Sequence, residues 1–212
     1  MCGVSEVSRP RRTQHERRTA TVGKLVDATI AAIGEVGYQR ATVQEICGRA
    51  GLSAGAMFRQ FDTRLDLIVK TAEDAFGRQL DGFRAVMAHL DAQENALAAA
   101  LRFLRQAQGS HLSHALREIY LAARSDTELR DRIAPIADRY YTDIVAALNE
   151  SHVLDAFPEE LRESLFFAML HLFSGEAVVR CVYPRPDLDV SVLALVEDML
   201  AVYAARGVPP ES

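Results

Sequence analysis

Apolar positions recur at helical spacing along most of the chain. Val22, Leu25, Val26, Thr29, Ile33 and Val36 repeat every three or four residues and Gly37 offers a stop, so a helix is predicted over 16–36. The same reading predicts helices over 42–49, 53–60, 63–89, 92–108, 111–124, 126–150, 158–182 and 188–205. Start signals punctuate them. Thr42-x-x-Glu45, Asp91-x-x-Glu94 and Ser125-x-x-Glu128 read as capping boxes, and Thr63-x-x-Asp66 as a shorter-armed version. Pro158-Glu159-Glu160 places proline and acid at a first turn. Gly51, Gly109 and Gly207 are further stops, and Pro135 is expected to kink or split the seventh helix. Sustained period-two alternation is scarce, so the fold class is all-α, with about nine helices.

The last two helices are apolar around most of their circumference. Leu161, Leu165, Phe166, Phe167, Met169, Leu170, Leu172, Phe173, Val178 and Val179 crowd the first. Leu188, Val190, Val192, Leu193, Leu195, Val196, Met199, Leu200, Val202 and Tyr203 crowd the second. A surface helix of a monomer shows one apolar stripe. Burial against a second copy, as a four-helix dimer interface, accounts for the surplus, with Ala168, Gly175 and Ala177 permitting close crossing. The other reading is a central helix buried within one subunit.

Charge changes the picture. The 212 residues carry 24 basic and 29 acidic side chains, a net of −5, which points away from nucleic acid. Residues 1–70 hold eleven basic against seven acidic residues, a net of +4; the remainder holds thirteen against 22, a net of −9. A basic end for a polyanion and an acidic body for another task is the implied division. Residues 1–15, with Arg9, Arg11 and Arg12, read as a disordered basic arm. No apolar run follows those arginines as in a secretory signal, and charge breaks every apolar stretch before the ~18 residues of a membrane span. Cys2, Cys47 and Cys181 are odd in number and far apart, so a cytoplasmic protein without a disulfide framework or structural zinc is expected.

The densest information lies at 40–67, RATVQEICGRAGLSAGAMFRQFDTRLDL. Thr42 caps a short helix on which Val43, Ile46 and Ala50 point one way. Gly51 permits a left-handed turn, Leu52 plugs inward, and Ser53 caps a second short helix. Met57 and Phe61 are expected to face the core, leaving Ala54, Gly55, Ala56, Arg59 and Gln60 exposed. Helix, four-residue turn, helix is the helix-turn-helix plan, whose second helix enters the major groove. Small residues let its backbone approach closely, while Arg59 and Gln60 offer donors to phosphates or base edges.

Gly37-Tyr38, Thr42-Val43, Ile46, Ala50-Gly51-Leu52-Ser53, Gly55, Phe58, Phe61, Thr63-Arg64 and Leu67 resemble, in order and spacing, the tetracycline-repressor (TetR) family of bacterial transcriptional regulators. The resemblance covers about residues 16–70. The family pattern usually has Tyr at Phe58, His or Tyr at Gln60, and Lys at Arg64, so Phe58 stands at a contact position without the phosphate-binding hydroxyl. The resemblance implies a DNA-binding domain over 16–62 and a helical effector-binding and dimerisation domain over 63–212, with the long helix from Thr63 as the lever between them. It implies phosphate contacts from Thr42, Ser53 and Arg64, and backbone or minor-groove contacts from the arm residues Arg17 and Arg18. Base-edge or methyl contacts would come from Gln44, Ala54, Ala56, Arg59 and Gln60. The partner would be a double-stranded operator, nearly palindromic and read by a homodimer with half-sites ~34–36 Å apart. A small apolar or amphipathic effector bound among Phe103, Tyr120, Tyr141, Phe167 and His171 would release a repressor from DNA. The alternative is a DNA-binding dimer with no effector, its body serving protein contacts.

Other features have plainer readings. Gly51-Leu52-Ser53-Ala54-Gly55 matches the nucleophile elbow of serine hydrolases, but a capped helix precedes it where that chemistry needs a strand, so no enzyme and no cofactor are predicted. His111 and His114 stand at i,i+3 without a third metal ligand at a supporting spacing. His171 reads as a core histidine or, less readily, as a polar group in a pocket. Tyr120, Tyr140 and Tyr141 read as packing residues with hydroxyls at a rim or in a pocket. Glu176 and Arg180 suit a local ion pair, Arg130, Asp131 and Arg132 a solvated face, and Cys47 a small core position.

Overall fold

The structure is a computed structural model and describes residues 13–90 and 96–206. Among the described residues it is all-helical, with nine helices: α1 Gln14–Val36, α2 Val43–Ala50, α3 Ala54–Phe58, α4 Arg64–Leu90, α5 Ala96–Gln108, α6 His111–Ala123, α7 Thr127–Glu150, α8 Glu159–Arg180 and α9 Pro186–Arg206. The expected arm residues 1–12, the Asp91–Glu94 box and the Gly207 stop lie outside the described residues.

Local chemistry explains the boundaries. α1 begins earlier than the apolar pattern implied. Thr13 accepts the Glu16 amide at 3.2 Å while the Glu16 carboxylate takes the Thr13 amide at 2.7 Å, a complete capping box, so residues 14 and 15 are helix and not arm. At α2 Thr42 accepts the Glu45 amide, but the Glu45 carboxylate pairs with Arg49 at 2.7 Å and does not close the expected box. Thr63 and Asp66 do exchange bonds at the head of α4: the Thr63 amide donates at 2.8 Å and the Asp66 amide returns one at 3.1 Å. The Ser125 expectation is corrected by one residue, because Asp126 is the N-cap of α7 and accepts the Leu129 amide at 3.0 Å. α7 runs on through Pro135 without splitting.

Two buried clusters organise the chain. The first gathers Leu25, Val26 and Ile33 of α1, Ile46 and Cys47 of α2, Met57 of α3, and Leu67, Ile68 and Phe76 of α4. Leu116 and Ile119 of α6 and Leu129 and Ile133 of α7 complete it. α2 and α3 therefore share one core with the middle and C-terminal turns of α6 and the first half of α7. The second gathers Leu80, Phe83, Leu101, Ile144, Leu148, Phe157, Phe166, Leu170, Phe173, Val196 and Leu200 from α4, α5, α7, α8 and α9 and the α7–α8 connection. Arg132, expected on a solvated face, instead reaches Asp66 of α4 at 2.8 Å. The Thr63 hydrogen bond and that ion pair hold the Asp66 carboxyl below its usual range.

Only one side of α8 and α9 is used in these cores. Phe166, Leu170, Phe173 and Ala177 face inward on α8, so Ala177 serves the subunit's own packing and not a crossing point. Eleven of the thirteen exposed large apolar side chains among the described residues lie between Leu172 and Tyr203. No described helix is long and apolar enough to cross a membrane.

Candidate functional site

The turn between α2 and α3 is fixed by backbone geometry. Gly51 adopts φ 63° and ψ 35°, where a side chain would be strained. The Leu52 amide returns to the Cys47 carbonyl at 2.9 Å and the Gly51 amide to the Gly48 carbonyl at 3.2 Å, a Schellman closure of α2. Leu52 packs against the first core and Ser53 caps α3 by accepting the Ala56 amide at 3.2 Å. α3 has only five residues, too few to persist alone, and Met57, fully buried beneath it, holds it in place.

Ser53, Ala54, Gly55, Phe58 and Arg59 face outward, as do Thr42 and Gln44 of the preceding unit and Arg17 and Arg18 of α1. The Thr42 and Ser53 oxygens accept helix amides, which leaves each hydroxyl proton for an outside acceptor such as a phosphate. Arg59 forms no ion pair among the described residues, whereas Arg49 is neutralised by Glu35 at 2.6 Å and Glu45 at 2.7 Å. Phe58 is 51% exposed, an apolar ring presented to solvent on the outer side of α3.

Three expectations for this surface need correction. Ala56 is buried, because in so short a helix it lies beside Met57 on the inner side, so its methyl is not offered outward. Gln60 is only partly exposed, with its Oε1 buried and unpartnered among the described residues. Arg64 is turned inward. Its Nε donates to the Ala41 carbonyl at 2.8 Å, Nη2 donates to the Tyr38 carbonyl, and the guanidinium carbon lies 4.6 Å from the Tyr38 ring centre. The arginine thus clamps the loop ahead of α2, through hydrogen bonds and a cation–π contact, before any phosphate is considered.

The same loop is held from the other side. The Tyr38 amide donates to the Glu118 carboxylate of α6 at 3.1 Å. α6 also forms one wall of a cavity of about 180 Å³ lined by residues of α4, α5, α6, α7 and α8. Of the expected effector residues, Tyr120, Tyr141 and His171 line this cavity. The Tyr120 and Tyr141 hydroxyls are 3.3 Å apart, and burial pushes the Tyr120 and Tyr140 phenols well above their ordinary range, so both stay neutral. His171 is exposed and stands at the rim, which corrects the core reading. Phe167 lies behind the wall, its ring centre 5.4 Å from that of Tyr141. Phe103 packs into the second core instead, because α5 turns that face away from the cavity.

Sequence reasoning missed the polar part of the wall. Gln79 donates to Ser113 at 2.8 Å, and Arg117 donates to the Gln108 carbonyl at 2.9 Å. The signal was present: Ser113, Arg117 and Tyr120 follow at helical spacing on α6 among the buried Ala115, Leu116 and Ile119. Glu176 and Arg180 form the expected pair at 2.8 Å, which Arg105 joins from α5, and Cys47 is a buried core thiol. Among the described residues no group of three His, Cys, Asp or Glu could hold a metal ion around His111 and His114.

A capped short helix, set by a left-handed glycine turn and presenting small, cationic and aromatic residues outward, defines a helix-turn-helix DNA-binding unit. Residues 25–71 match the family model for bacterial regulatory proteins of the tetR family. An uncharacterized HTH-type transcriptional regulator of Mycobacterium tuberculosis is 36% identical over 189 residues, covering 89% of this chain and 97% of that one. The chain belongs to the TetR family and is a transcriptional regulator with a DNA-binding helix-turn-helix. Its fold is shared with a Rhodococcus transcriptional regulator (TM-score 0.64, 21% identity, 84% of this chain and 94% of that one). It is also shared with FadR of Bacillus subtilis, solved in complex with stearoyl-CoA (TM-score 0.57, 20% identity, 82% and 96%).

Proposed function

We propose that this regulator is a cytoplasmic homodimeric repressor that reads a near-palindromic operator and releases it when a small effector enters the body. The observation that carries the DNA-reading part is the outer side of α3. Ser53, Ala54, Gly55, Phe58 and Arg59 are exposed together, while Met57 anchors the helix from beneath. Thr42, Ser53, Arg17 and Arg18 would meet the backbone; Gln44, Ala54 and Arg59 would meet base edges or thymine methyls. Gln60 would add a contact only after turning outward, and Arg64 acts by holding the loop before α2.

Arg59→Ala is expected to weaken operator binding by about 1–3 kcal/mol. Fluorescence anisotropy with matched and mutated operators separates its two possible roles. A weakening confined to the correct sequence marks a base contact. A uniform weakening, with a salt slope flatter by about one for each phosphate no longer neutralised, marks a backbone contact.

The cavity favours the effector reading over a body used only for protein contacts. It adjoins α6, and α6 carries both its wall residues Ser113, Arg117 and Tyr120 and the Glu118 carboxylate that grips the loop before α2. An effector that shifts α6 would thereby bias the spacing of the reading helices, limited by its differential affinity for the two forms. Ser174 lines the cavity from α8. Ser174→Trp, which fills it, is expected to leave operator affinity within about twofold and to abolish the effector's effect on it, a change within the 5–150-fold range usual for such coupling. Full effector response in that variant would contradict the assignment of this cavity.

A further inference from the structure

We propose that the cavity accepts a small organic anion, a carboxylate on a compact apolar body, with Arg117 as its charge partner; this rests on the effector reading above. Arg117 is partly buried on α6 and spends Nη1 on the carbonyl of Gln108 at 2.9 Å. Its Nη2 is buried with no hydrogen-bond partner, and no carboxylate lies within ion-pair distance among the described residues. The contrast with Arg105 is direct, since that arginine is closed by Glu176 and faces Asp189 at 3.6 Å.

The surroundings do not supply a counter-ion. The cavity wall contains no Asp or Glu, and Arg117 is its one residue of fixed charge. The outer side of Arg117 borders a groove that includes Glu35 and Glu118, but Glu35 pairs with Arg49 and among the described residues neither carboxylate forms an ion pair with Arg117. Burial works against the guanidinium charge, yet arginine does not shed its proton in a protein. A partly desolvated, unpaired charge is costly, and a buried donor without a partner calls for an explanation. A bound carboxylate satisfies both once the guanidinium turns its buried Nη2 toward the cavity, because its two coplanar oxygens match the guanidinium fork.

Size and lining narrow the body of the ligand. A cavity of about 180 Å³ is slightly larger than the ~150 Å³ that accommodates benzene, so one ring or a short branched chain fits within it. Phe76, Leu116 and Leu170 provide apolar walls, while the Tyr120–Tyr141 hydroxyl pair offers one further polar contact.

The test is calorimetric titration of the full chain with benzoate, cyclohexanecarboxylate and hexanoate, each beside its primary amide as a neutral isostere. Arg117→Gln keeps a donor for the Gln108 carbonyl without the charge, and Arg117→Lys keeps the charge without the fork. At least one acid is expected to bind about tenfold or more tighter than its amide. Arg117→Gln is expected to bring that ratio to about one, and Arg117→Lys to retain a preference for the acid. Equal binding of acid and amide, a preference that survives in Arg117→Gln, or no acid binding at all overturns the proposal. Amides that bind and release DNA would leave the effector reading standing while removing the anion; the Ser174→Trp variant tests the effector reading independently.

Discussion

Met199→Glu is expected to leave the protein monomeric and to cut its affinity for a two-site operator by about 10²–10⁴-fold. Met199 is 62% exposed on α9, on one face with Leu188, Leu195 and Val202, while Val196 and Leu200 on the other side fill the subunit's own core. Along α8 and just past its end, Ala168, Leu172, Gly175, Val179 and Val182 follow at alternating spacings of four and three, all exposed. A Cβ built on Gly175 would meet nothing within 4 Å, as expected where a second helix is to approach closely. In a two-fold interface each substitution occurs twice, and an unpaired buried charge costs about 3–5 kcal/mol. Separation of the subunits removes the effective concentration that joins two weak half-site contacts, which is the origin of the expected factor. Light scattering reads the mass and anisotropy reads the DNA; a dimer that survives with unchanged affinity would place the interface elsewhere.

Met57→Ala has the second large effect, and on a different part of the molecule. Met57 is fully buried, and a large-to-small change at such a site costs about 2–5 kcal/mol. α3 has five residues and few other anchors, chiefly the Ser53 cap and the partly buried Leu52 and Phe61. Much of the cost should therefore appear as disorder of the reading helix. Operator binding is expected to fall below detection at concentrations where the dimer remains intact. Amide exchange checks it: protection should drop first in α3, with the core of α5 and α8 unchanged. Uniform loss of protection across the molecule would mean that the two clusters unfold as one unit.

The helix boundaries were legible because local signals set them. Caps such as Thr42 and Ser53, the left-handed Gly51 and the apolar spacing act within a few residues, so the sequence displays them directly. The errors follow where longer-range contacts decide. Ser125 and Asp126 are both good cap residues, and only the path of the chain selects the second. Arg64 occupies a position that resemblance assigns to phosphate, but Tyr38 and Ala41, 26 and 23 positions away, take two of its five donors and turn it inward. The same reason applies to Phe103, expected in the pocket, and to Arg117, for which the sequence raised no expectation. A phenylalanine suits a pocket and an arginine suits a surface, yet the rotation of α5 and α6 about their axes places the arginine on the cavity wall. The charge split also becomes specific: the positive end contains the outward Arg17, Arg18 and Arg59, while its Arg49 and Arg64 are already engaged.

The central claim is that two copies of the α3 surface read one symmetric DNA site. Selection of bound sequences from a random duplex library, with the footprint then mapped at base resolution, tests it most directly. The expected result is a near-palindrome whose half-sites lie about one helical turn, ~34–36 Å, or a whole multiple of it apart. Both half-sites should be protected together, and both should lose protection in Met199→Glu. Enrichment of an asymmetric single site, or no enrichment over random sequence, would contradict it.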